Sequence, residues 1–168
     1  MSPLDFLKNP LKWLELLTKL KSNTTGAPHF AIELILKRVS EEEASKYDLS
    51  NLKWFFNGAE PIRYDSVQKF LRRFNIPETT MLPVYGLAES TLIVSGYRES
   101  EKISHLKVSK NGYSEGKIIF TDKDEIELIS CGRVSPHTRL EIVDVDTLLP
   151  LPEDSIGEIC IWSDSVAS

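Results

Sequence analysis

A buried strand, a sharp turn and an acidic residue follow one another in the stretch Leu82-Pro83-Val84-Tyr85-Gly86-Leu87-Ala88-Glu89-Ser90-Thr91. Ligands of open α/β sheets lie outside the carboxyl ends of the strands, which is where this turn falls. Tyr85 offers a flat face with a polar tip, and Gly86 lets the backbone come close to a ligand. Glu89 offers the kind of oxygen that holds Mg²⁺ against a nucleotide phosphate. The spacing alone is equally typical of an ordinary corner between a strand and a helix.

A second apolar strand runs into a small-residue turn upstream, at Trp54-Phe55-Phe56-Asn57-Gly58-Ala59-Glu60-Pro61. The sequence predicts strands over residues 52–56 and 79–84, joined by a helix that begins at Pro61. Apolar strands flanked by helices favour a parallel sheet that is covered on both faces. Residues 52–85 are therefore predicted to form a right-handed β-α-β unit.

Amphipathic helices are predicted before this unit, over residues 11–20 and about 30–39, because apolar residues recur there at helical spacing. The stretch Thr24-Thr25-Gly26-Ala27-Pro28 between them is predicted to be a turn, since it is rich in small residues and ends in proline. Ser40-Glu41-Glu42-Glu43 is predicted to be a capping box that begins a further helix.

The character of the sequence changes after Gly96. Residues 97–124 are polar and contain the turn signal Asn111-Gly112, which predicts a surface hairpin or loop rather than core. From residue 125 to residue 168 apolar residues alternate with others, which predicts an antiparallel β region with one buried face. The expected fold class is α/β: a partial parallel sheet with flanking helices over about residues 1–96, followed by that antiparallel region.

The composition excludes several classes of function. The 168 residues carry a net charge of −5, and contacts to nucleic-acid phosphates need clustered Lys and Arg, so no nucleic-acid partner is expected. No apolar run approaches the ~20 residues of a membrane span, and no signal peptide is evident, so a cytoplasmic location is expected by default. Cys131 and Cys160 lack neighbours at metal-ligand spacing and are expected to be reduced, buried thiols rather than a disulfide.

Several motifs, in order along the chain, resemble those of the fatty acyl-AMP ligases, adenylate-forming AMP-binding enzymes that are related to acyl-CoA synthetases. Two are the nucleotide-binding motifs Asn57-Gly58-Ala59-Glu60-Pro61 and Tyr85-Gly86-Leu87-Ala88-Glu89. The others are Phe6-Leu7-Lys8-Asn9-Pro10-Leu11-Lys12-Trp13-Leu14, Gly26-Ala27-Pro28-His29-Phe30, Ser130-Cys131-Gly132-Arg133 and the Gly-Glu-Ile strand Gly157-Glu158-Ile159-Cys160-Ile161-Trp162. Val134 follows Arg133 where the family usually has proline, so this loop departs from the family pattern.

The resemblance implies a reaction in which a fatty acid carboxylate attacks the α-phosphate of ATP and releases pyrophosphate. The nucleotide would be held by residues at the two strand ends: Asn57, Gly58, Ala59, Glu60, Tyr85, Gly86, Leu87 and Ala88. Glu89 would hold Mg²⁺ and would be the catalytic residue. Pro28 and Phe30 would line the pocket for the carboxylate or acyl group, and His29 is expected to be a surface or second-shell residue.

The family also uses a phosphate loop with Lys, an Asp for the ribose hydroxyls and a mobile C-terminal domain with a catalytic Lys. None of these is among the residues of this chain. The chain is therefore expected to be an internal fragment of the large N-terminal AMP-binding domain that is inactive by itself. Residues 97–124 are expected to be an insertion that acyl-AMP ligases carry and acyl-CoA synthetases lack.

The parent protein is interpreted as a fatty acyl-AMP ligase, which makes an acyl-adenylate for transfer to an acyl carrier protein. A fragment of an acyl-CoA synthetase is the alternative within the same class. A non-catalytic nucleotide- or acyl-binding module is the alternative from another class, and the missing phosphate loop favours it for these 168 residues taken alone.

Overall fold

The computed structural model describes residues 1–98, 100–123 and 125–167, and in them helices alternate with strands before a β-rich part follows. The helices are α1 (Pro3–Lys8), α2 (Leu11–Leu20), α3 (His29–Arg38), α4 (Glu41–Ala44), α5 (Tyr64–Arg73) and α6 (Lys110–Ser114). The strands are β1 (Thr24–Pro28), β2 (Trp54–Gly58), β3 (Met81–Gly86), β4 (Ile93–Gly96), β5 (His105–Ser109), β6 (Glu125–Ile129), β7 (Arg133–Val134), β8 (Thr138–Val143) and β9 (Glu158–Ser163). The predicted α/β class is confirmed.

The main sheet has five strands in the order β1-β2-β3-β4-β7. Strands β1, β2 and β3 are parallel, and Ala27, Asn57 and Pro83 lie side by side across them. Strands β4 and β7 are added antiparallel, so the parallel part ends at β3. The chain passes from β2 through α5 to β3, which confirms the predicted β-α-β unit.

The prediction of a turn over residues 24–28 is wrong, because these residues form strand β1. It pairs with β2 along its whole length, from Thr24 beside Trp54 to Pro28 beside Gly58. The sequence misled because glycine and proline usually mark turns. An outermost strand tolerates them, because the N–H that proline lacks is not needed on the side of the strand that has no neighbour.

The core lies between the main sheet and helices α2, α3 and α5. Phe55 of β2 is completely buried there, with its ring centroid 5.6 Å from that of Trp13 and 5.7 Å from that of Phe70. The next residue, Phe56, points to the opposite face, where it stays 37% exposed. Within the described part of the chain, the sheet is therefore not covered on both faces at β2, contrary to the prediction.

Residues 97–123 are not a purely exposed segment. Ile103 packs against the main core and Val108 is fully buried. The predicted turn Asn111-Gly112 lies inside α6, because the Ser109 side chain accepts a hydrogen bond from the Gly112 N–H and begins a helix. Strand β5 pairs with β6, so the predicted boundary after residue 124 falls within one hairpin.

The predicted antiparallel β region is confirmed for β8 and β9, which pair over six positions. The rest of that region is divided, because β6 pairs with β5 and β7 joins the main sheet. The predicted boundary residue Asp124 and the final Ser168 lie outside the described residues. Cys131 and Cys160 are free, as predicted, but both are only half-buried. Among the described helices, none has the length and apolar character that crossing a membrane requires.

Candidate active site

The carboxyl ends of the three parallel strands open onto one groove of about 480 Å³. It is lined by residues at the ends of β1, β2 and β3 and at the start of β4. These residues are Gly26, Ala27, Pro28, Phe56, Gly58, Ala59, Val84, Tyr85, Gly86, Leu92 and Ile93. The structure thus brings together five predicted site residues, namely Pro28, Gly58, Ala59, Tyr85 and Gly86. This is the position at which open α/β sheets bind their ligands.

The glycines at the strand ends let the backbone pack closely. A Cβ on Gly58 would lie 2.6 Å from the Val84 carbonyl oxygen, and one on Gly86 would lie 1.7 Å from the Leu92 carbonyl oxygen. Both distances are far shorter than real contacts, so a side chain at either position would push β3 or the entry to β4 away. Ala59 follows Gly58 in the left-handed region, with φ of 67°, and turns the chain over the edge of the sheet.

Asn57 lies beneath the groove and is fully buried. Its side-chain amide donates to the Ala27 carbonyl at 2.9 Å, and its Oδ1 lies 3.3 Å from Nδ1 of His29. Its side chain therefore ties β2 to β1 and to the start of α3. His29 is itself only 3% exposed, which overturns the option that it is a surface residue.

Glu60 is tied to the first turn of α3. Its carboxylate accepts a hydrogen bond of 2.6 Å from the Phe30 N–H, one of the amides that a helix start leaves without a partner. A carboxylate at this end is also favoured by the helix dipole. The turn after β2 is thereby fixed to the segment that carries the predicted substrate residues Pro28 and Phe30.

Glu89 is exposed on a single 3-10 turn, Ala88–Ser90, directly after β3. Its backbone carbonyl accepts from the Ala167 N–H at 2.7 Å, and the nearby Thr91 hydroxyl donates to the Ser165 carbonyl at 3.1 Å. The segment after β9 therefore holds this turn. In the described residues no group of three or more His, Cys, Asp and Glu side chains is placed to hold a metal ion. An exposed carboxylate such as that of Glu89 fits Mg²⁺, which usually binds one or two carboxylates together with phosphate oxygens and water.

A second, apolar cavity of about 420 Å³ lies beside the groove, and Gly26, Ala27 and Pro28 of β1 line both. Phe30 lines this second cavity rather than the groove. Phe6 of α1 also lines it, with its ring centroid 6.0 Å from that of Trp13 and 6.2 Å from that of Phe30. Of the two predicted substrate residues, Pro28 therefore lies at the wall that the two spaces share, and Phe30 lies in the second cavity alone.

Sequence reasoning missed groove residues on both sides of the nucleotide motifs. Leu92 and Ile93 line the groove because the chain folds back antiparallel after the Glu89 turn, and both are exposed. Phe56 lines it because it alternates with the buried Phe55 along β2. The alternation of side chains along a strand was the available signal for Phe56. The predicted site residues Leu87, Ala88 and Glu89 lie between the groove residues Gly86 and Leu92 along the chain but do not themselves line the groove.

Comparison with known proteins places the whole chain in one family. The family described as AMP-binding enzyme matches residues 1–168. The medium-chain-fatty-acid–[acyl-carrier-protein] ligase TtuA of Teredinibacter turnerae is 32% identical over 99% of this chain and 27% of its own length. The putative fatty-acid–CoA ligase FadD21 of Mycobacterium tuberculosis is 30% identical over 99% of this chain and 29% of its own length.

Solved structures agree with these sequence relatives. The fatty acid AMP ligase from Legionella pneumophila is 37% identical, with a TM-score of 0.91 over 100% of this chain and 30% of that chain. A fatty acyl-adenylate ligase from the same organism, in complex with acyl adenylate and pyrophosphate, has a TM-score of 0.89. The chain spans less than a third of the length of these relatives. With the family match covering every residue, the chain belongs to the AMP-binding enzymes.

Proposed function

We propose that the protein to which this chain belongs is a fatty acyl-AMP ligase. It activates a fatty acid with ATP to an acyl-adenylate and transfers the acyl group to an acyl carrier protein. The observation that carries the proposal is the pair of adjoining spaces: an open groove at the carboxyl ends of β1, β2 and β3, and an apolar cavity that shares the wall formed by β1.

The groove suits the adenine nucleotide. Gly58 and Ala59 line it without bulky side chains, and the Tyr85 ring offers a stacking surface worth about 1–3 kcal/mol per base. Glu89, on the turn after Gly86, is the residue that would hold Mg²⁺ beside the phosphates. Bound there, the ion would offset the charge that develops on the transferring phosphate.

The apolar cavity suits the acyl chain. Phe6, Trp13 and Phe30 line it with aromatic surface, and each methylene buried there would contribute about 0.8 kcal/mol. The fatty acid carboxylate would then lie at the shared wall near Pro28, at the junction with the nucleotide groove. Holding the carboxylate and the α-phosphate at one junction lowers the barrier mainly by positioning the reactants.

An acyl-CoA synthetase is the second candidate, because the similar proteins carry both ligase names. The test uses the full-length parent protein with ATP and fatty acids of graded chain length. We expect fatty-acid-dependent ATP–pyrophosphate exchange, followed by acyl transfer to a phosphopantetheinylated carrier protein and little transfer to CoA. Equal transfer to CoA would favour the synthetase, and no fatty-acid-dependent exchange would refute both.

The 168 residues alone are expected not to catalyse adenylation, because the phosphate loop and the catalytic Lys of the family are not among them. Binding of ATP by this chain should also be weak, since only the adenine end of the site is present. Exchange activity above background, or micromolar affinity in calorimetry, would contradict this. The non-catalytic module would be supported by tight binding without exchange in the full-length parent.

A further inference from the structure

His29 is a buried ring that uses both of its nitrogens. Nδ1 lies 3.3 Å from Oδ1 of Asn57, and Nε2 accepts a hydrogen bond of 3.2 Å from the backbone N–H of Arg63. Because that N–H can only donate, Nε2 must be the unprotonated nitrogen. The ring is then neutral with its proton on Nδ1, which donates to Asn57.

The hydrogen bonds continue in one direction beyond Asn57. Its Oδ1 accepts from His29, so its Nδ2 is free to donate, and it does so to the Ala27 carbonyl at 2.9 Å. Each buried polar atom of this relay between His29 and Asn57 therefore has a partner of the correct type. A fully satisfied buried network of this kind fixes the groups that it joins.

These contacts fasten residues 57–63 to the start of α3 at three points. Asn57 begins the segment and contacts the His29 ring, and Arg63 ends it and donates to the same ring. Between them, the Glu60 carboxylate accepts from the N–H of Phe30, the neighbour of His29. The segment between these ties contains Gly58 and Ala59, which line the groove.

We infer that His29 is a positioning residue that sets the nucleotide-binding turn, residues 57–63, through Asn57 and the Arg63 amide without touching the ligand. The inference rests on the proposed function for the role of the turn, but the tethering itself is a separate property of the chain. His29 is not among the residues that line the groove. It therefore acts through the backbone, as supporting contacts of binding sites do.

The hydrogen bond from the Arg63 N–H, and not the charge around the ring, is what specifies a neutral His29 in this role. The Glu33 carboxylate lies 3.6 Å from Nε2 and accepts a hydrogen bond from the Ser66 hydroxyl, which holds the pKa of Glu33 below its ordinary value. Arg63, His29 and Lys37 also act on Glu33, and each lowers its pKa. A second proton on His29 would turn Nε2 into a donor that faces the Arg63 N–H, and the tie to Arg63 would be lost.

The test uses the 168-residue chain labelled with ¹⁵N. Long-range ¹H–¹⁵N spectra of the wild type should show His29 as the neutral, Nδ1-protonated tautomer near neutral pH. His29→Leu removes both ties, whereas His29→Gln keeps an acceptor for the Arg63 amide. We expect hydrogen exchange at Arg63 to rise about tenfold or more in His29→Leu, because its N–H loses the hydrogen bond that protects it. His29→Gln should stay near the wild type, and amides of the β8–β9 ladder should not change.

An Nε2-protonated tautomer in the wild type would overturn the inference. So would unchanged Arg63 exchange in a folded His29→Leu. If His29→Leu does not fold, the inference is decided by the tautomer of His29 in the wild type and by hydrogen exchange at Arg63 in His29→Gln. Titration with AMP then tests the link to function: shifts at Gly58 and Ala59 in the wild type should weaken in His29→Leu. If AMP causes no such shifts in the wild type, the proposed function of the turn is refuted. The tethering of the turn by His29 is still decided by the His29 tautomer and by hydrogen exchange at Arg63.

Discussion

Gly58 and Gly26 give a matched pair of substitutions in the same groove. Both glycines line the groove and belong to neighbouring parallel strands. A Cβ on Gly58 would lie 2.6 Å from the Val84 carbonyl oxygen and 2.9 Å from Val84 Cγ2. A Cβ on Gly26 would lie 3.6 Å from the Phe56 carbonyl oxygen, which is an ordinary contact. The same methyl group should therefore have opposite effects at the two positions.

The magnitudes follow from these distances. In Gly58→Ala, the obstructing oxygen belongs to the backbone of β3 and has no rotamer to escape into, so the strand itself must shift. Overpacking of this kind costs about 1–3 kcal/mol. Gly26→Ala meets no obstruction and reduces the freedom of the unfolded chain, which stabilises a protein by about 0.4–1 kcal/mol.

Urea denaturation followed by tryptophan fluorescence measures both variants against the wild type. We expect the urea concentration at the unfolding midpoint to fall for Gly58→Ala and to rise or stay unchanged for Gly26→Ala. The dependence of the unfolding free energy on urea concentration should be the same in both variants and the wild type. Equal loss of stability in the two variants would refute the reasoning, because it would show that the space beside Gly58 does not set the approach of β2 to β3.

In the full-length parent, Glu89→Gln should lower kcat about a hundredfold or more without changing the melting temperature, because Glu89 is exposed and would act on the transition state; normal turnover would make Glu89 a structural corner residue. Replacing residues 110–123 by an Asn-Gly turn should leave adenylation intact and raise acyl transfer to CoA. This smaller change is preferred because deletion of all of 97–124 would also remove β5 and the buried Ile103. Loss of adenylation in a folded variant would place the segment in the active site. Ser66→Ala should destabilise the chain at neutral pH, and the difference from wild type should shrink as the pH falls below 4.5, because Ser66 stabilises ionised Glu33 and lowers its folded-state pKa. A difference between the unfolding free energies that does not depend on pH would show that the Ser66 hydroxyl acts through packing instead.

The sequence predicts local patterns well and long-range contacts poorly. The helices at residues 11–20 and about 30–39 and the unit β2-α5-β3 follow from apolar spacing, and the structure has them within two residues, except that α5 begins at Tyr64, three residues after the predicted start at Pro61. Strand β1 was missed because its pairing with β2 is a long-range property that a run of Thr, Gly and Pro does not indicate. Likewise, Asn111-Gly112 is a turn signal only if the preceding Ser109 does not cap a helix.

The candidate site shows the same division. The motifs predicted which strand ends meet, because parallel strands bring their carboxyl ends to one edge. The contacts that fix the site join residues about thirty positions apart, such as Glu60 with the Phe30 amide. The Arg63 amide that binds His29 is a backbone group, which every residue except proline carries. Residue identity therefore gave no signal for this contact.

Strand β1 is the outermost strand of the main sheet in the described residues, and such an edge is a template for unwanted pairing with other chains. The composition that made β1 resemble a turn limits this hazard. Pro28 has no N–H to offer to an incoming strand, Gly26 favours extended pairing weakly, and the strand is only five residues long. Replacing Pro28 and Gly26 together by β-branched residues would let more of this edge strand pair with other chains, and the variant should aggregate at concentrations where the natural sequence stays dispersed.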